Sequence, residues 1–196
     1  MSNAAPIIVL CEDVLHEVFI RWFIKERWGI DNRKMSFDRN KLGGSGEQYV
    51  RENYQKQLEI YRQRNSHAKT ILVVVTDADT KSVQQRNAEL DKAAIAQTDT
   101  GQKIDAYSRK PDEPVLHVIP RRNIETWLVY LMDKKPNEDD DYKDMRTFRG
   151  QESKAAPYIK ILAKRCRDKK DLDDAPPSLI EACKEIDRIA SFIRDI

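Results

Sequence analysis

The sequence predicts an α/β fold of three layers, in which a small parallel sheet of about four strands is flanked by helices and further helices follow at the C-terminal end. Three observations predict it. Short apolar, β-branched runs recur at Pro6–Leu10, Thr70–Val75 and Val115–Ile119. Runs apolar on both faces are strands buried on both sides, which a parallel sheet covered by helices requires. Each run is followed by apolar residues at helical spacing, and the resulting order β-α-β-α-β-α-β-α-α-α winds, with right-handed crossovers, into a doubly covered Rossmann-like sheet.

The first strand, Pro6–Leu10, stops at Cys11-Glu12-Asp13. Val14, Leu15, Val18, Phe19, Trp22 and Phe23 then recur as one helical face, and Gly29 ends that helix. Lys34–Asp38 is the candidate second strand. Gly43-Gly44-Ser45-Gly46 is a flexible loop before a polar helix over Glu47–Gln63, with Val50, Tyr54, Leu58 and Tyr61 along one side. The glycines serve a turn, or they let backbone amides approach a phosphate; no Gly-Lys-Ser/Thr follows, so this is no P-loop. The central strand runs Thr70–Val75 and the helix after it Val83–Ile95. Gln97–Pro114 reads as an exposed excursion. Val115–Ile119 is the last strand, closed by Pro120, and Ile124, Trp127, Leu128 and Leu131 give the next helix its apolar stripe. Lys134–Asp144, with Asp139-Asp140-Asp141 in the middle, reads as a solvated acidic loop. Two helices finish the chain. One spans Ser153–Arg167, with Ser153 as N-cap and Pro157 in the first turn; the other starts after Pro176-Pro177-Ser178.

At 196 residues the chain suits one domain, or one domain with an appendage, here residues 5–133 as the α/β unit and 145–196 as a helical extension packed on it. Charged residues make up 35% of the chain, yet the net charge is +2, which excludes a histone-like polycation and leaves room for a local basic patch. No apolar run reaches membrane-spanning length and no export signal leads the chain. Cys11, Cys166 and Cys183 are too few and too far apart for a disulfide framework or a zinc knuckle, so a reducing, cytoplasmic location is expected.

The chemistry is expected at the strand ends, where open α/β sheets bind ligands. Asp77 and Asp79 flank Ala78 at the end of the central strand, and in extended chain they point the same way. Two such carboxylates repel unless a cation lies between them, and Mg²⁺ is the usual guest of hard oxygen ligands. Glu12 ends the first strand in the same manner. Parallel neighbours stand roughly 5 Å apart, so if these strands adjoin, all three acids can share a metal or a metal pair. Helix capping is the plainer role for each acid. His16, His67 and His117 show no metal spacing, and Trp22, Trp28 and Trp127 are expected in the core. The basic cluster of Lys164, Arg165, Arg167, Lys169 and Lys170 is offset by neighbouring aspartates and reads as a solvated face.

A hydrophobic strand ending in Glu, Ile7-Ile-Val-Leu-Cys-Glu12, and a later one ending in Asp-x-Asp, Ile71-Leu-Val-Val-Val-Thr-Asp77-Ala-Asp79, resemble the TOPRIM domain of topoisomerases, primases and OLD-type nucleases. The likeness covers roughly residues 5–130; where family members place Gly after the Glu, this chain has Asp13. Ile119-Pro-Arg-Arg-Asn-Ile-Glu-Thr-Trp-Leu128 is similar to the strand-then-Glu-x-Trp-Leu signature of small stand-alone TOPRIM proteins associated with phage defence. The resemblance implies a TOPRIM-like fold, Mg²⁺ (or Mn²⁺) as one or two ions, and phosphodiester hydrolysis rather than strand passage. It implies Glu12, Asp77, Asp79 and Glu125 as metal ligands and catalytic acids, with Lys154 as the assisting lysine. Two ions roughly 3.5–4 Å apart would stabilise the attacking and leaving oxygens. Arg121, Arg122 and Lys81 are the expected phosphate contacts. The implied partners are nucleic acid, DNA in preference to RNA, and a separate ABC- or SMC-like ATPase, since the chain has no Walker motif. Two other readings stay open. The Asp-x-Asp also resembles the metal site of haloacid-dehalogenase-type phosphatases and of glycosyltransferases, and an acidic site can serve a non-catalytic, partner-binding module.

Overall fold

Three apolar runs form strands buried on both faces, and a fourth, more polar and partly exposed strand lies at one edge of the sheet. In the computed structural model, which describes residues 6–41, 43–93, 109–132, 135–143, 148 and 150–193, β1 spans Ile7–Cys11, β2 Met35–Arg39, β3 Ile71–Val75 and β4 Val115–Val118. All pair in parallel, in the order β2-β1-β3-β4. Strand alternation divides the core in two. Ile7, Val9, Cys11, Ile71, Val73, Val75, Leu116 and Val118 face one layer of helices, while Ile8, Leu10, Leu72, Val74 and Val115 face the other.

The first layer contains α1 (Val14–Trp28), α4 (Glu125–Leu131), α5 (Ala156–Asp168) and α6 (Pro177–Arg188), followed by the short α7 (Ala190–Ile193). The second contains α2 (Gly46–Asn65) and α3 (Val83–Ala93). From them Val50, Tyr54, Leu58, Tyr61 and Leu90 are buried against the sheet. The α/β fold with C-terminal helices is as the sequence predicts. Gly29 closes α1 in the left-handed conformation, φ 69°, its N–H donating to the Lys25 carbonyl at 2.8 Å. Ser45 caps α2. Residues 94–95 of the expected third helix and 97–108 of the expected excursion lie outside the described residues.

Three local expectations change. Ser153 does not cap α5: residues Glu152–Ala155 form a 3-10 turn that runs directly into the α-helix, whose N-cap Ala155 makes no side-chain bond. Pro157 does sit in the first turn of α5, where its missing N–H costs nothing. The cysteines are not all free. Packing α5 and α6 into one core brings Cys166 and Cys183 to a Cα separation of 5.6 Å, and they form a disulfide, with Cys11 free and buried. Cysteine spacing therefore no longer argues for a reducing compartment. Among the described residues no helix is long and apolar enough to cross a membrane.

Trp127 is the knot between the sheet layer and the C-terminal helices. It is fully buried, its ring lies 5.4 Å from that of Phe19 on α1, and its Nε1 donates to Ser178 Oγ at 2.9 Å. Trp127→Ala is expected to lower unfolding free energy by about 3–5 kcal/mol, measured by urea titration with far-ultraviolet dichroism.

Candidate metal centre

β1 and β3 adjoin with Cys11 opposite Val75, so the residues after them leave the sheet side by side. Glu12 turns across to the segment that follows β3: its Oε1 accepts from Thr76 Oγ1 at 2.6 Å and from the Asp77 backbone N–H at 2.7 Å. Both acids are buried, Glu12 7% and Asp77 1% exposed. Burial, and then the charge of Asp77, push the Glu12 carboxyl above its usual range.

Asp13, in the position where the resembled family carries Gly, caps α1. Its Oδ1 accepts from the His16 backbone N–H at 3.0 Å and lies 2.8 Å from His16 Nδ1. The other ring nitrogen, Nε2, lies 3.1 Å from Asp77 Oδ1. Burial alone would make His16 less basic, but Asp77 and Asp13 outweigh it, and the imidazole is held well above its ordinary pKa. His16 was not legible as a site residue. The available signal was its spacing, four residues after Glu12 in the first turn of the next helix.

Asp79 departs from the extended geometry expected of an Asp-x-Asp. The strand ends at Val75, Ala78 N–H bonds the Pro120 carbonyl at 2.8 Å, and Asp79 is left-handed at φ 55°. Two cations gather the pair instead of strand alternation. Lys143 Nζ lies 2.9 Å from Asp79 Oδ1 and 3.4 Å from Asp77 Oδ2. Burial would lower the Lys143 pKa, but the charges of Asp77 and Asp79 overcome it and raise it. Arg86 of α3, 3% exposed, donates through Nε to the Asp77 carbonyl at 3.0 Å, approaches Asp79 Oδ2 at 3.6 Å, and pairs with Glu47 and Glu89. Neither aspartate caps α3. That role falls to Ser82, whose Oγ accepts from Gln85 N–H at 3.1 Å while Gln85 Oε1 accepts from Ser82 N–H at 2.8 Å.

The acidic segment is not simply solvated. Within 135–143, Asp139 pairs with Arg121 at 2.7 Å, Asp141 accepts from buried Asn123 at 2.9 Å, Glu138 takes the Ser178 hydroxyl, and Lys143 reaches the aspartates. Its outer positions 134 and 144 lie outside the described residues. The segment packs beside the carboxyl end of the sheet and helps close a cavity of about 470 Å³. Glu12, Asp77, Glu125, Lys143 and Phe148 line this cavity together with Gly43, Gly44 and Gly46. The glycine loop is therefore more than a turn. A Cβ on Gly46 would lie 2.7 Å from Glu12 Cβ and 3.0 Å from its Oε2, so only Gly lets α2 begin against this carboxylate.

Of the residues singled out from sequence, Glu12, Asp77 and Glu125 line one cavity, and Asp79 joins them through Lys143. Lys154 does not: it is exposed on the 3-10 turn and does not line the cavity, and Lys143 is the lysine against the acids. The expected phosphate contacts have partners within the chain. Arg121 donates to the Lys81 carbonyl at 2.6 Å, Arg122 lies 3.6 Å from Asp141, and Lys81 pairs with Glu89 at 2.5 Å.

The donor chemistry suits a divalent cation. One atom each from Glu12, His16 and Asp77 lie within 4.8 Å of one another. The Lys143 ammonium already rests against Asp77 and Asp79, standing in for the positive charge these carboxylates call for. No family model, curated protein or solved structure matches the chain.

Gly46→Ala is expected to cost about 1–3 kcal/mol through overpacking against Glu12, despite alanine's better helix propensity, and urea unfolding measures it. Burial, followed by the charge of Asp77, raises the Glu125 carboxyl to about 7 from an ordinary 4.5. A carboxyl whose folded pKa is raised holds its proton more tightly when folded, so stability falls as pH rises between those two values. In EDTA, the Tm of Glu125→Gln minus that of the wild type is expected to be near zero at about pH 4.5 and positive at about pH 8.

Proposed function

We propose that the chain is a divalent-cation-dependent nuclease of the TOPRIM/OLD type that hydrolyses phosphodiester bonds, acting on DNA in preference to RNA. The observation that carries this reading is the meeting of Glu12 and Asp77 across adjoining strands, with the Lys143 ammonium against the aspartates. Glu12 and Asp77 would hold the first cation, Mg²⁺ or Mn²⁺, with Asp79 and Glu125 alongside. Such an ion supplies Lewis-acid polarisation of the phosphodiester and stabilises the charge that builds up during attack by water.

The chain's own groups do the rest. Glu125, its carboxyl near neutrality in pKa, is suited to take a proton from the attacking water. Lys143 balances negative charge where a phosphate would enter, the part the sequence assigned to Lys154. Arg86 fixes the backbone of the Asp77–Asp79 turn through the Asp77 carbonyl. Arg121 and Arg122 are each paired with an aspartate of the acidic segment, which takes up part of the donor capacity a phosphate would use. A separate ABC- or SMC-like ATPase, as the resemblance implies, would restrain or trigger the activity in a defence or toxin system.

The test is incubation of the chain with supercoiled plasmid, linear DNA and RNA in Mg²⁺ or Mn²⁺, with and without a co-expressed neighbouring ATPase. Cleavage is expected, with a loss of at least about a hundredfold in Asp77→Asn, of the order seen when an electrostatic catalytic group is removed. Turnover of phosphomonoesters with nucleic acid left intact would assign the site to a phosphatase instead. Inertness in every arm would leave a partner-binding module.

A further inference from the structure

We propose that His16 is itself a ligand of the cation, through Nε2 and together with Glu12 and Asp77, so that the site takes a first-row transition dication such as Mn²⁺ in preference to Mg²⁺. This rests on the metal half of the function proposed above.

The geometry of the ring is the starting point. Nδ1 lies 2.8 Å from Asp13 Oδ1, an acceptor-only oxygen that also receives the His16 backbone N–H. One carboxylate oxygen thus fixes both the start of α1 and the ring above it. With the Nδ1 proton donated to Asp13, Nε2 faces Asp77 Oδ1 at 3.1 Å, a hydrogen-bond distance that a proton on Nε2 satisfies and that a metal ion would have to satisfy in its place. A nitrogen lone pair and a carboxylate oxygen at that distance repel unless something positive lies with them. A proton can fill that role; so can a metal ion drawn to both atoms and to Glu12, whose ligand atom lies within the same 4.8 Å group.

Asp13 then has the part of an outer partner in a carboxylate–histidine–metal arrangement, which fixes the tautomer and raises the basicity of the ligating nitrogen. The mixed donor set decides the cation. Carboxylates alone suit Mg²⁺, whereas an imidazole nitrogen adds affinity for transition dications and little for Mg²⁺. The other histidines do not compete for this role. Both ring nitrogens of His117 are engaged, with Asn87 and Tyr54 at 2.9 Å each, and His67 is exposed beyond the end of α2. The plainer alternative is that His16 is only an imidazolium counter-ion to buried Asp77.

Pulsed electron paramagnetic resonance of the full chain with Mn²⁺ alone separates the two. The expected result is an imidazole ¹⁴N modulation on bound Mn²⁺ that converts to the ¹⁵N pattern when only histidine is ¹⁵N-labelled. His16→Gln removes it and weakens Mn²⁺ by roughly tenfold or more, while Mg²⁺ binding changes far less; Asp13→Asn weakens Mn²⁺ by roughly tenfold. The labelled wild-type chain gives the answer even if His16→Gln fails to fold. Mn²⁺ that binds, is lost in Asp77→Asn, and shows no histidine coupling would overturn the inference and leave the nuclease reading standing. Absence of Mn²⁺ binding overturns both. Histidine-coupled Mn²⁺ in a protein that cuts no nucleic acid supports the inference and removes the nuclease.

Discussion

β1 and β3 lie next to each other in the sheet, and the hydrogen bonds that Glu12 makes across that boundary organise the carboxyl end of the molecule. With Cys11 opposite Val75, Glu12 can take both the Thr76 hydroxyl and the Asp77 amide on one oxygen. That bond pair turns the Asp77 side chain toward His16 and Lys143. It also sets Glu12 where only a glycine at the start of α2 can pass. A different strand order would remove all of these contacts together, because each crosses the β1–β3 boundary or depends on a group that does.

Concentrating buried acids has an electrostatic cost, and the fold meets it with cations from separate elements. His16 comes from α1, Arg86 from α3, and Lys143 from the acidic segment beyond α4. Buried charge is tolerable only when paired, and the pairing here is incomplete. Glu12 and Glu125 are both held above the usual carboxylate range, by burial first and then by the charge of Asp77.

The glycine loop and the acidic segment show how surface features take on a second role. From sequence, one is turn chemistry and the other a solvated run of charge. In the fold both contribute to the cavity lining, the one through Gly43, Gly44 and Gly46 and the other through Lys143. The arginines read as phosphate contacts are committed to holding the acidic segment in place.

Much of this protein was legible from its residues alone. The strands, most of the helices, the cap at Gly29 and the first-turn Pro157 follow from apolar periodicity and turn chemistry, which act over a few residues. The strand-end acids Glu12 and Asp77 could be found because a polar break after an apolar run marks a sheet's carboxyl edge, whereas Glu125, at the start of α4, was singled out only through the family resemblance. Strand order, by contrast, was left to the tertiary structure, and with it the bond between Glu12 and Asp77. Packing also chose Lys143 over Lys154, brought His16 and Arg86 to the aspartates, bent Asp79 out of the extended form, and joined Cys166 to Cys183. The physical reason is common to all of these. Each contact is set by how whole elements stack against one another, and its energy is realised only after the chain between its partners has folded, so no local pattern encodes it.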